Sequence, residues 1–355
     1  MTSSVPKAAL YVYKQSVWAS VPLLALEEKG YGPDEVDIKE VDLHKGENFR
    51  PEYLRLNPHG TVPTLVVPLQ TTLSSDIESR YKAIHDSKAI AEFLDKSRST
   101  QSRTHTTSSA PSPALTPATI SFTSTSNRII ELLHSEAGDP NALVYMNARD
   151  DASLKVLAKE LLPTLKAKRA TLDELIQGND ASQTPVSEKT LKFWELKKTA
   201  SDGVLSVLED AEKSIAELSA EAKAKREEYY KAANAAWSAV KEVLLQLHKE
   251  LIGPYALGDQ MSLADLHLAA FFFRLAKLAG ASAEEDGDTV VGKLETHIGG
   301  GFHLPKELSV AETRRRVGLP ATNVQPGDRQ NKFAAFWDAI KERPSWKKVY
   351  GGGLH

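Results

Sequence analysis

Apolar residues recur along this chain with two different periods. Near the start, Leu10-Tyr11-Val12-Tyr13 and Thr64-Leu65-Val66-Val67 are short β-branched or aromatic runs of strand type. Residues 36–41 alternate apolar and charged positions, as a strand with one buried face does. Residues 21–29 have helical spacing and stop at Gly30. Asp86 and Ser87, both good capping types, open a further helix through Leu94. The predicted order is β-α-β, then a strand and a helix.

Beyond residue 120 the helical period takes over. Residues 120–136, 151–177 and 187–195 are predicted helices, with Pro163 kinking or splitting the second. From 204 to 251 apolar residues fall every three or four positions, Leu208, Ala211, Ile215 and Leu218 leading to Trp237, Leu244 and Leu251. At about 1.5 Å per residue an unbroken helix would reach roughly 70 Å, so a bend is expected near 222–228. An amphipathic helix pair facing the core is the preferred reading over a partner-binding coiled coil. Ser262 and Asp265 have the spacing of a capping box before an apolar, buried helix at 266–278. Residues 97–126, rich in Ser, Thr, Pro and Ala, read as a flexible linker. Residues 70–81 look like an insertion, and 281–330 like surface loops, one of them over a cleft.

Composition narrows the function. The chain has 355 residues, 41% of them hydrophobic, which suits one large or two small domains with a real core. A net charge of −3 announces no basic face, so nucleic acid is not an expected partner. Cysteine is absent, which removes disulfides and Cys-ligated zinc. The ten histidines show no metal-ligand spacing, and no metal is expected. The first residues lack the apolar core of a signal peptide. The most apolar stretch carries Asp265, His267 and Arg274 and is too short and polar for a membrane span. A soluble cytoplasmic protein without a membrane anchor is the expectation.

The most informative segment is Asn57-Pro58-His59-Gly60-Thr61-Val62-Pro63, a turn leading into the strand at 64–67. Pro63 cannot donate to a ladder and belongs at a strand start or edge. Were the Val62–Pro63 bond cis, the Val62 N–H and C=O would turn outward together and pair with a peptide-like ligand.

With Ser16-Val17-Trp18-Ala19 before this turn and Asp86-Ser87-Lys88-Ala89-Ile90 after it, the chain resembles the cytosolic glutathione transferases. The segments 255–266 and Arg343-Pro344-Ser345-Trp346 resemble that family's helical-domain signature and closing segment. The resemblance implies an α/β thioredoxin-like N-terminal domain to residue 96, the linker 97–126, and an all-α helical domain over 127–355, enlarged by insertions. It implies glutathione as co-substrate, a small hydrophobic electrophile as second substrate, and a homodimer, with the monomer kept open because insertions can obstruct the interface. The glutathione thiol behaves like a free Cys, with a pKa of about 8.5. Lowering it by about two units takes about 2.7 kcal/mol, within reach of a hydroxyl donor and helix N–H groups. Ser16 is the expected donor, its alternative role being a plain helix cap; Tyr11 and Tyr13 are other hydroxyls nearby. Val62 would hold the cysteinyl backbone and Pro63 would set its geometry. Ser87 would take the γ-glutamyl carboxylate and Asp86 its amine. His59 is either a ligand contact or a solvated turn residue. For the glycyl end, Asn48 and Phe49 stand where related chains often carry basic residues, so either Arg50 or Lys45 substitutes or glutathione binds differently. The rival expectation is an adaptor or regulator of the same fold without catalysis.

Overall fold

Short alternating runs make a small sheet, and its register decides which side chains enter the core. The computed structural model of the chain describes residues 7–69, 81–99, 108–180, 185–320 and 324–355. Strands β1 (Ala8–Val12), β2 (Val36–Glu40), β3 (Thr64–Pro68) and β4 (Tyr81–Ile84) form a sheet in the order β2-β1-β3-β4. β1 pairs antiparallel with β3, setting Leu10 opposite Leu65, and β3 pairs antiparallel with β4. Leu10 and Leu65 are fully buried, so a slip of one residue would turn both to the other face. β2 is an edge strand in which only Val36 is buried, and its alternation in the sequence marks an exposed edge. Helix α1 (Val17–Glu28) follows β1, α2 (Pro51–Leu56) precedes β3, and α3 (Ser87–Ser97) follows β4. This is the expected thioredoxin-like order, and the described residues after α3 are mostly helical.

The helices after the sheet are α4 (Ile120–Leu133), α5 (Pro140–Tyr145), α6 (Asp151–Asp180), α7 (Glu188–Leu208), α8 (Ala220–Glu250) and α9 (Leu263–Leu278). They continue as α10 (Gly287–Ile298), α11 (Val310–Arg316), α12 (Lys332–Ile340) and α13 (Pro344–Tyr350). Contacts divide the chain into two compact units, residues 1–39, 63–140 and 238–355 in one, 40–62 and 141–237 in the other.

α9 is the centre of the first unit. It is buried from Leu263 to Ala276, with α1, α4 and α10 packed around it. Phe271, Phe272 and Phe273 are all fully buried, because neighbours surround the helix on every side. Phe272 meets Phe333 and Trp337, while Phe273 meets Trp337, Trp346 and Tyr350. The capping box forms as predicted, with Asp265 accepting from the Ser262 N–H and O–H at 2.8 and 2.6 Å. Arg343 and Ser345 both donate to the buried carboxylate of Glu28, which fastens the closing segment to the end of α1.

Two loop expectations are corrected here. Residues 281–330 hold α10 and α11, and α10 buries Val290, Val291 and Leu294 against α9 and α12. The described part of the linker is not loose. Arg98, paired with Glu35 at 3.0 Å, donates to the carbonyls of Ser108 and Ala110. Asp95 accepts from the Leu115 N–H, the Thr116 N–H and the Thr116 hydroxyl, and pairs with buried Lys29 at 2.8 Å. Side-chain hydrogen bonds thus order a segment whose composition has no periodicity. Residues 100–107, and residues 70–80 of the expected insertion, lie outside the described residues.

In the second unit α6 and α7 lie side by side, and α6 runs through Pro163 unbroken. Their core includes Leu154, Leu157, Leu161, Leu205, Leu208, Tyr229 and Ala233. The break expected near 222–228 falls earlier, at 209–219, between α7 and α8. Arg226 explains the shift. Its guanidinium donates to the carbonyls of Asp210 and Lys213, and Ser214 with Glu217 closes a capping box in the same loop. The apolar period runs across this break, so it could not locate it.

Candidate functional site

Ser16 sits where β1 gives way to α1. Its backbone is extended (φ −83°, ψ 124°), and its Oγ accepts the Ala19 N–H at 3.4 Å, so it is the N-cap. That bond uses a lone pair of the hydroxyl and leaves its hydrogen uncommitted to any described group, in a half-buried side chain. The turn is held from both sides. The Arg274 guanidinium of α9 donates to the Gln15 carbonyl at 2.7 Å, and the Ser20 hydroxyl donates to the Ser16 carbonyl at 3.3 Å. Ser20 Oγ also lies 2.9 Å from Nε2 of His355, whose ring stacks on Tyr350. Burial and the Arg274 charge push the His355 ring down to about 4.

The start of α3 has the same construction. Asp86 is its exposed, extended N-cap and accepts the Ala89 N–H at 2.9 Å, while Ser87 is buried at the first helical position. Pro63 is buried just before β3. Among the described residues the cis peptide bond is Gly253–Pro254, so the Val62–Pro63 bond is trans. The cis geometry considered from the sequence is therefore corrected. Proline lowers the preference for trans without removing it, and the local sequence alone does not reverse it.

A cluster without sequence signal stands beside α1. The Trp18 ring stacks on His134, the C-cap of α4, with centroids 3.8 Å apart. His134 Nε2 lies 2.8 Å from Nδ1 of His267 in α9. His267 is fully buried, and its Nε2 has no hydrogen-bond partner among the described residues. Burial lowers the proton affinity of both rings, and for His267 the neighbouring His134 adds to it. Two histidines 133 positions apart, on different helices, offer no motif to a reader of the sequence.

The other candidates belong to the second unit. There the Asn57–Thr61 turn is tied by its own residues. Asn57 Oδ1 accepts the His59 N–H at 3.0 Å, and Asn57 Nδ2 and the Tyr53 hydroxyl both donate to the Thr61 carbonyl. Gly60 has φ 60°, and a Cβ there would lie 3.0 Å from the Phe193 ring and 3.1 Å from the Asn48 carbonyl. Val62 is buried, while His59 and Arg50 are exposed, Arg50 standing at the start of α2. Lys45 is exposed and pairs with Asp42 at 3.1 Å. Asn48 donates to the Gly60 carbonyl at 2.7 Å, and Phe49 packs with Leu172 and Trp194. Trp194 Nε1 donates to the Phe49 carbonyl at 2.8 Å. Of the two residues that replace expected basic ones, Asn48 thus ties the turn to itself and Phe49 holds α6 and α7 to it.

The described residues hold no group of three His, Cys, Asp or Glu side chains suited to a metal ion. None of their helices is long and apolar enough to cross a membrane.

Residues 15–97 match the glutathione S-transferase N-terminal domain, and residues 200–288 match the C-terminal domain of the same family. Tetrachloro-p-hydroquinone reductive dehalogenase of Sphingobium chlorophenolicum is 44% identical over 64 residues, 18% of this chain and 25% of that protein. Glutathione S-transferase 1 of Dianthus caryophyllus is 43% identical over 95 residues, 27% of this chain and 36% of that protein. The chain thus matches about a quarter to a third of the length of these curated relatives. Among solved structures, Gtt2 of Saccharomyces cerevisiae aligns over 96% of this chain and 99% of its own, with a TM-score of 0.48 and 16% identity. With the N-terminal domain model falling on α1 to α3 and β2 to β4, and the C-terminal one on the end of α7, α8 and α9, the chain belongs to the glutathione transferase family.

Proposed function

We propose that this protein activates the thiol of glutathione for attack on a small apolar electrophile. Conjugation, glutathione-dependent ether cleavage and isomerisation all need the same thiolate. One observation carries the reading. The Ser16 hydroxyl is half-buried at the start of α1, accepts the Ala19 N–H, and keeps its own hydrogen to donate. A hydroxyl so placed, with the first N–H groups of α1, stabilises a thiolate over a thiol. Asp86 and Ser87 at the start of α3 offer an anion acceptor and helix N–H groups, the chemistry that a γ-glutamyl amine and carboxylate require. In the same reading the protein is cytoplasmic and forms a homodimer.

A second reading, an adaptor of the same fold without turnover, draws on the second unit. There Asn48 and Phe49 hold structural positions, and Lys45 is engaged by Asp42. Of the basic candidates for the glycyl end, this leaves Arg50, with Val62 and His59 as the other residues the resemblance gives to the ligand.

Thermal unfolding with and without millimolar glutathione separates the two. Ligand at about one hundred times its Kd adds about 2.7 kcal/mol of stability, so the midpoint rises. A rise accompanied by turnover of apolar electrophiles supports the transferase. No rise, and no heat of binding by titration calorimetry, rejects it in favour of the adaptor.

A further inference from the structure

We propose that His134 presents a fixed Nδ1–H donor to the second substrate, and that this donor selects electrophiles in which thiolate attack places charge on oxygen, conjugated enones above all. The inference rests on the reading of Ser16 as thiolate activator, and adds a substrate class to it.

A neutral imidazole carries one N–H. His267 is fully buried, and its Nε2 has no partner among the described residues. A proton on Nε2 would leave an unpaired donor in the core. A proton on Nδ1 is used in the 2.8 Å bond to His134 Nε2, leaving only a lone pair unmatched, which protein interiors tolerate better. His267 therefore donates and His134 Nε2 accepts. The single proton of neutral His134 must then sit on Nδ1, and His267 is the positioning residue that fixes this tautomer.

The surroundings keep the donor neutral and in place. Trp18 covers one face of the His134 ring at 3.8 Å. The groups that bear on His134 are Asp86 and Lys88 from α3, Asp139 beyond α4, and His267 from α9. Asp86 and Asp139 favour its charged form, but burial and Lys88 oppose it, and burial is the largest influence. Trp18 stands in the first turn of α1, two residues after Ser16, and the partly covered His134 ring, stacked on Trp18, also feels the Asp86 cap of α3, so it stands near both helix starts.

A donor there suits one kind of electrophile. In thiolate addition to an enone the sulfur–carbon bond forms at the β-carbon, and the π electrons shift to the carbonyl oxygen. The resulting enolate oxygen accepts a hydrogen bond from Nδ1–H. Solvent then protonates the α-carbon with the equivalent of the proton the thiol released, and the thioether results. An alkyl halide places its developing charge on the departing halide, which gains less from an N–H donor than an enolate oxygen does.

Two measurements on the full chain test this. In nitrogen-15 spectra of the histidine rings at neutral pH, His134 should show the Nδ1–H tautomer; an Nε2–H pattern overturns the proposal whatever the activity. In glutathione assays with trans-4-phenyl-3-buten-2-one and iodomethane, His134→Phe keeps the stacking on Trp18 and removes the donor. It should lower the ratio of enone to halide kcat/KM by about tenfold or more. An unchanged ratio, with glutathione still bound, overturns the donor and leaves the thiolate reading standing. If the wild-type chain binds no glutathione by calorimetry, the thiolate reading fails, and this inference fails with it.

Discussion

Ser16→Ala removes one oxygen, and the structure separates what that oxygen does for folding from what it does for chemistry. Its capping bond from Ala19 is 3.4 Å long, beyond the usual N–H···O range. Its loss should cost about 0.5 kcal/mol, the low end for an N-cap, and lower the unfolding midpoint by about 1 °C. A hydrogen bond to a charged group contributes about 1.5–3 kcal/mol. At about 1.36 kcal/mol per unit, losing it raises the pKa of bound glutathione by about one to two units. The assay is kcat/KM against pH for one reactive electrophile, with glutathione binding measured by calorimetry. The variant should bind glutathione nearly as well as wild type and turn over about 10- to 100-fold more slowly below the thiol pKa. It should recover most of the rate at high pH, where the thiol ionises unaided. A profile that overlays the wild type refutes Ser16 as activator. An equal loss at every pH assigns the residue to shaping the α1 turn.

Two further predictions concern stability. Asp95→Ala should cost about 3–5 kcal/mol in urea unfolding, because it leaves the buried Lys29 ammonium without its carboxylate. Lys29→Met should cost less, since Asp95 keeps the three donors from Leu115 and Thr116; equal losses would show that those three bonds carry no weight. His355 gives a pH dependence. Burial holds its folded pKa at about 4 against 6.5, so the unfolded chain binds the extra proton between these values. Its contribution is complete above pH 6.5 and is lost as pH falls to about 4, by up to about 3 kcal/mol. Asp265, which burial raises to about 6, titrates in an overlapping range with the opposite sign. The comparison is therefore wild type against His355→Phe, whose stability should fall less between pH 6.5 and 4; parallel curves would refute the assignment.

Some features were legible because their causes are local. Ser16, Asp86 and the Ser262–Asp265 box cap helices through bonds to residues three positions on, which a short run of sequence contains. The Asn57–Gly60 turn ties itself with its own side chain. Periodicity found β1, β3, α4 and α9, since a half-buried or fully buried element writes its faces into the residue order. Other features have no such record. The break at 209–219 depends on Arg226 reaching back to Asp210 and Lys213, and α10 in a polar segment depends on the α9 and α12 surfaces it covers.

By itself the sequence determined the two-part family architecture and the residues that open α1 and α3, because caps, turns and apolar spacing act within a few residues. Only the tertiary structure decided that Phe49 anchors α6 and α7, that Asp95 orders part of the linker, and that His134, His267 and Trp18 form one cluster. Each of these joins residues distant in the chain. Their hydrogen bonds and stacking exist only once the backbone has brought them within a few ångströms, and no short-range pattern in the sequence encodes that approach.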